Sequence, residues 1–182
     1  MDLEKRLISR IKGTGNRKAA DELIRKYYDE IYTYVYKQIL DKHTAMDVTQ
    51  NIFISMLQSL STYDEKKAGF RTWIYRIATN KIIDYFRKNS TERKMVVDIG
   101  EYEIQDQIMF TLDIENKELL FRVQDFINSF DMSSQQIFRL KIFGEYNFSQ
   151  IAASLSLPES TIKSKYYRLL KIIREEFKDE YN

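Results

Sequence analysis

The sequence predicts an all-α protein of two helical domains joined by an acidic linker, and three observations predict it. Only 5 glycines and 1 proline punctuate 182 residues, too little turn material for a protein of many strands. Apolar residues recur at three- and four-residue steps over long segments, the spacing of a helix that buries one face. That pattern fails from about Ser90 to Asp113, where Asp98, Glu101, Glu103 and Asp106 gather around Gly100. Hydrophobic content of 43%, with 14% aromatics, suffices for a core on each side of the break.

Taken in order, the opening MDLEKRLISRIK is charged throughout, unlike a signal peptide, and no element is assigned to it. A helix is predicted from Ala19 to Ile39 on the stripe Leu23, Tyr27, Ile31, Tyr34 and Val35. A second is predicted from Thr44 to about Leu60, with Val48, Ile52, Met56 and Leu60 inside and Asp47, Gln50, Asn51, Ile54 and Gln58 outside. Ser61 to Gly69 is a polar connection. A third helix, Phe70 to Lys88, is expected to turn Trp73, Ile77 and Ile82 inward and to carry Arg71, Arg76, Lys81, Arg87 and Lys88. Beyond the linker, Lys117 to Phe130 and Ser133 to Phe143 read as two more helices, with Ser133 and Gln136 spaced as a capping box.

The last third combines a buried stripe with a basic one. Asn147 and Gln150 match a second capping box ahead of the short pattern Phe148, Ile151, Ala152 and Leu155. Ser154 to Leu157 make a brief break, and Pro158, the only proline, stands where a new helix can start. From Glu159 onward, Ile162, Tyr166, Leu169 and Ile173 share one side, while Lys163, Ser164, Tyr167, Arg168 and Lys171 occupy the other. Ala152, Ala153, Ser154 and Ser160 would permit close helix crossing. Two helices about a tight turn, the second amphipathic and basic, suit a helix-turn-helix that enters a major groove. A helical hairpin with a solvated lysine face would show the same spacing.

Net charge is only +2, but the charge is segregated: Lys+Arg against Asp+Glu is 19 to 12 over residues 1–94, 2 to 8 over 95–130 and 8 to 7 over 131–182. The basic blocks suggest modules facing a polyanion, and the acidic segment between them either avoids nucleic acid, imitates it, or simply stays solvated. The absence of cysteine excludes disulfides and thiolate sites. His43 is the single histidine, and no clustered ligand spacing supports a metal or other cofactor. No nucleophile–base pair or Gly-rich phosphate loop is present, so neither an enzyme nor a small-molecule substrate is expected. No apolar run approaches bilayer length, so a cytoplasmic protein without direct membrane insertion is expected.

Three windows carry a family resemblance: Ala45-Met46-Asp47-Val48-Thr49-Gln50-Asn51-Ile52-Phe53; FRTWIYRIATN from Phe70 to Asn80, continuing to Asp84 and Arg87; and Thr161-Ile162-Lys163-Ser164-Lys165. In order and spacing they resemble an RNA polymerase sigma factor of the extracytoplasmic-function type, in the sigma-70 family. The resemblance implies a region-2-like bundle at 1–92, an acidic linker at 93–116 and a region-4-like helix-turn-helix domain at 117–182. It implies a non-catalytic promoter-specificity subunit whose partners are core RNA polymerase, through its clamp helices and flap, promoter DNA, and an anti-sigma factor.

Carried over position by position, the resemblance implies that Asp47 and Gln50, with Asn51 beside them, dock on the clamp helices. Asn80, Asp84, Arg87 and Lys88 fall where the family reads or holds the minus-ten element. Asp84 could equally orient Arg87 across one helical turn. The loop Ser61 to Ala68 matches the one that captures a flipped base, and Tyr63 is its only aromatic. Trp73 suits either a strand-opening wedge or core packing. Lys163, Ser164, Tyr167 and Arg168 match positions facing the minus-35 major groove. Lys141 matches a basic position on the preceding scaffold helix, and Lys171 suits a phosphate contact.

Three residues depart from the family pattern: Ser160 stands in place of a glycine, Gln150 in place of a glutamate, and Lys165 where arginine is common, which removes a guanidinium fork. Two rivals fit parts of the same sequence. One is a stand-alone helix-turn-helix regulator with a helical sensor or dimerisation domain; the other is a helical adaptor that contacts proteins only.

Overall fold

A computed structural model describes residues 3–89 and 117–178, and every element among the described residues is helical. The expected linker at 93–116 lies outside them. The chain divides into two compact units, Met1–Tyr85 and Phe86–Asn182.

The first unit contains α1 (Leu3–Thr14), α2 (Arg17–Ile39), α3 (Lys42–Ser59), a 3-10 turn (Leu60–Thr62) and the start of α4 (Phe70–Asn89). Helix α1 was not expected. Its apolar contribution is small, Leu7 and Ile8 being buried among charged neighbours, while Leu3 remains exposed. Helices α2 and α3 start two residues earlier than their apolar stripes suggest, because Asn16 accepts from the Ala19 N–H (3.0 Å) and Asp41 from the Thr44 N–H (2.8 Å). The stripes themselves are buried as expected, from Leu23 to Val35 on α2 and from Val48 to Met56 on α3, continuing to Leu60.

On α4 Ile82 is buried as expected, but the first half of the buried face is turned from the expected one. Phe70, Ile74, Ala78 and Ile82 form its spine with Tyr75, Thr79 and Ile83 beside them, whereas Trp73 and Ile77 are half-buried at its margin. The α2 aromatics fix this phase. Tyr27 packs on Phe70 (5.3 Å between centroids), Tyr34 packs on Tyr75 (4.8 Å), and the Tyr34 and Thr79 hydroxyls share a hydrogen bond of 2.8 Å.

The second unit contains α5 (Lys117–Asn128), α6 (Met132–Ile142), α7 (Phe148–Leu155) and α8 (Glu159–Glu176). The expected cap at Ser133 is not the one formed. Asp131 caps α6, accepting from the Ser134 N–H (3.1 Å) and the Ser134 hydroxyl (2.5 Å), because its carboxylate reaches two donors at once. The Asn147–Gln150 capping box forms in both directions, at 2.8 and 2.9 Å.

Helix α7 ends on Ser156 in the left-handed region (φ 56°), with the Leu157 N–H returning to the Ala152 carbonyl at 3.1 Å. Pro158 then occupies the cap of α8 rather than its first turn. Of the small residues expected at the crossing, Ser154 is buried and Ala152 half-buried, but Ala153 and Ser160 face outward. Ile162, Tyr166, Leu169, Leu170 and Ile173 hold α8 to the unit, and Phe177 closes it edge-on to Phe126 at 5.7 Å.

Candidate functional site

On α3 the inward stripe leaves Asp47, Gln50 and Asn51 on the opposite side, all exposed and within one turn of each other. Two apolar residues flank them, Met46 and Ile54, the latter 52% exposed. A polar group bordered by exposed apolar side chains has the composition of a protein-docking face, since apolar area left in water gains free energy when covered.

A second surface runs along α4. Because the core spine is Phe70, Ile74, Ala78 and Ile82, the row Trp73, Ile77, Asn80, Asp84 and then Arg87 and Lys88 runs along its margin at four- and three-residue steps. Asn80 and Asp84 are half-buried, and Arg87 and Lys88 are exposed in the last turn. Tyr63 joins this row through its aromatic head, with ring centroids 5.2 Å from Trp73 and 5.5 Å from Phe70. Trp73 is thus neither a core residue nor an isolated wedge; it is the half-exposed junction between the Tyr63 loop and the polar row. Burial first, then Glu4, Glu65 and Asp64, raise the Tyr63 hydroxyl above the usual tyrosine range, so it stays neutral and able to donate.

The third surface is the outer side of α7 and α8. Phe148, expected only as part of an apolar stripe, is its centre: the Lys141 ammonium lies 5.0 Å from the ring centroid and that of Lys163 5.9 Å, from two different helices. Tyr166 and Tyr167 pack on the same ring at 5.4 and 5.8 Å. Tyr167, expected on the presented side, is half-buried against Phe148. Burial, with Tyr167 adding to it, pushes the Tyr166 hydroxyl up to about 12.

Lys163 is exposed and held to Glu159 one turn earlier at 2.7 Å, a hydrogen bond that raises its ammonium above the usual lysine range. Ser164 and Arg168 are half-buried beside it, and Lys171 is exposed one turn beyond. Lys165 turns away from this surface toward Asp131, at 3.7 Å. It therefore links α8 to the cap of α6 and is not part of the presented row.

Residues 23–92, which carry the α3 face and the α4 row, match sigma-70 region 2. Along 96% of this chain and 97% of the relative, the sequence is 26% identical to the ECF RNA polymerase sigma factor SigW of Bacillus subtilis (strain 168). Residues 23–92 thus carry a sigma-70 region 2, and the chain is similar over nearly its whole length to an extracytoplasmic-function sigma factor.

The chain is also 24% identical to the ECF RNA polymerase sigma factor SigM of the same organism, over 89% of this chain and 94% of the relative. Its fold is similar to that in the structure of CnrH in complex with the cytosolic domain of CnrY, with a TM-score of 0.62 and 19% identity across 98% of this chain and 99% of that one. The co-crystal structure of the sigma factor RpoE with the anti-sigma factor NepR from Bartonella quintana gives a TM-score of 0.52 at 16% identity, covering 87% of this chain and 96% of that one. Among the described residues there is no group of three or more His, Asp or Glu that could hold a metal ion, and no helix long and apolar enough to cross a membrane.

Sequence reasoning missed two participants in these surfaces, Phe148 and Lys12. Phe148 carried a weak signal, an aromatic at the first position of a capped helix. Lys12, whose ammonium contacts Tyr63, carried none, because it lies 51 residues away in a charged segment with only a faint apolar pattern.

Proposed function

We propose that the chain is a promoter-specificity subunit that binds core RNA polymerase in the cytoplasm, recognises minus-35 and minus-ten elements, and assists DNA opening while the polymerase supplies the chemistry. The supporting observation is a single one: the same chain carries a sigma-70 region 2 match over the α3 face and α4 row, and separately a capped helix-turn-helix with a basic outer side.

In this reading Asp47, Gln50 and Asn51 dock on the polymerase clamp helices, with Met46 and Ile54 adding apolar contact. Asn80 offers its amide to an extruded base edge, Arg87 and Lys88 hold adjoining phosphates, Asp84 orients that end of the row, and Tyr63 borders the captured base. Lys163, Ser164, Tyr167 and Arg168 read minus-35 from the major groove, while Lys141 and Lys171 hold phosphates beside them. The modules follow the division 1–92, 93–116 and 117–182, the middle segment running through the polymerase interior where its acidic charge imitates nucleic acid. An anti-sigma factor covering the same faces accounts for control when polymerase is not engaged.

The test is transcription in vitro with bacterial core polymerase on a promoter library, with and without the chain. Promoter-selective initiation that depends on the chain is expected. Asp47→Ala with Gln50→Ala should weaken core association while leaving minus-35 duplex binding intact. Sequence-specific duplex binding without any effect on initiation would instead identify a stand-alone regulator.

A further inference from the structure

The connection between the 3-10 turn and α4 is short of apolar anchors, yet it is tied to α1 at two points. Lys12 donates from its ammonium to the Tyr63 carbonyl at 2.6 Å, and the same nitrogen stands over the Tyr63 ring, 5.5 Å from its centroid. Lys5 pairs with Glu65 at 3.1 Å. On its inner side the Tyr63 ring rests against Trp73 and Phe70. Helix α1 is in turn anchored by buried Leu7 and Ile8 and by Glu4, which accepts from Lys26 (2.8 Å) and from the Tyr27 hydroxyl.

We propose that Lys12 is a positioning residue for promoter opening: from α1 it fixes the Tyr63 loop, and so aims the aromatic wall of Tyr63 and Trp73 at the extruded minus-ten base. The proposal rests on the minus-ten reading of this surface. A loop that is ordered before the strand arrives loses less conformational freedom on capture, and a wall in one fixed orientation discriminates between bases of different shape. A lysine suits this post because one ammonium can hydrogen-bond a carbonyl and lie against a ring at once. Lys12 is itself exposed, so its replacement removes the tie without opening a cavity.

The experiment uses the full chain on core polymerase, comparing wild type, Lys12→Ala and Lys12→Arg. The probes are labelled single-stranded oligonucleotides bearing the minus-ten sequence selected in library transcription, together with every single-base change of it. Lys12→Ala is expected to bind the selected sequence about tenfold more weakly, with preference lost at one base position. Lys12→Arg, which keeps a donor and a cation, should restore both, and minus-35 duplex affinity should match in all three. Equal affinity and preference for Lys12→Ala and wild type overturns the proposal and leaves the sigma reading standing. Uniform weakening over all sequences, with a salt slope lower by about 0.7, overturns it by making Lys12 a phosphate contact. Wild-type protein with no base preference overturns the minus-ten reading, and this proposal with it.

Discussion

At the scale of single residues, Asp131 joins two helices of the second unit: it caps α6, where it also receives the Ser134 hydroxyl, and it pairs with Lys165 of α8. Burial alone would raise its pKa, but the Ser134 bonds and the Lys165 charge outweigh burial and hold the carboxyl below the usual range. A folded-state value below the unfolded one gives stability that is present above pH ~4 and is lost as pH falls through the depressed value. Asp131→Asn is therefore expected to flatten the acid limb of a melting-temperature profile, and Asp131→Ala to cost about 1 kcal/mol near neutrality. An unaltered acid limb would trace that pH dependence to other carboxylates. Arg168 makes a different demand. If it reads a base, Arg168→Ala costs about 1–3 kcal/mol on the minus-35 duplex and relaxes preference at one position. Equal weakening on every sequence would reassign it to phosphate. Residue type and spacing were enough to select the basic row, but they could not separate Lys165 from its neighbours, because its partner Asp131 is 34 positions away and belongs to another helix.

At the scale of elements, the caps decide where helices begin and the turns store strain. Ser156 ends α7 in a left-handed conformation that an L side chain adopts at a cost of about 1 kcal/mol or more. Ser156→Gly is expected to stabilise the second unit by about 1 kcal/mol in denaturant unfolding, and a loss of stability would show that the serine side chain contributes more than its backbone costs. The amphipathic stripes of α2, α3 and α8 were legible because each buries a continuous face. The phase of α4 was not: Trp73 counts as apolar in any periodicity, yet the α2 partners Tyr27 and Tyr34 claim Phe70 and Tyr75 instead. Helix α1 was illegible for a related reason. Two buried residues in twelve are a faint signal, and the ties to Lys26, Tyr63 and Glu65 are visible only once the chain is folded.

At the scale of the whole molecule, the residues proposed to dock on the clamp and those proposed to read minus-35 belong to different compact units. If each unit acts on its own target, Asp47→Ala with Gln50→Ala and Lys163→Ala with Arg168→Ala should reduce promoter-selective initiation by free energies that add to within about 0.5 kcal/mol. A larger coupling, measured over the four combinations, would mean that the two units respond as one body. The segregated charge, hidden in a net +2, fits that division of labour better than it fits a uniformly basic DNA binder. One feature of the first unit also makes the molecule convenient to observe. Trp73 is the chain's sole tryptophan, half-exposed between Tyr63 and the polar row of α4. The free protein therefore carries a built-in optical reporter at the surface proposed for strand capture, and a base settling against that indole should quench or shift its emission without any dye attached.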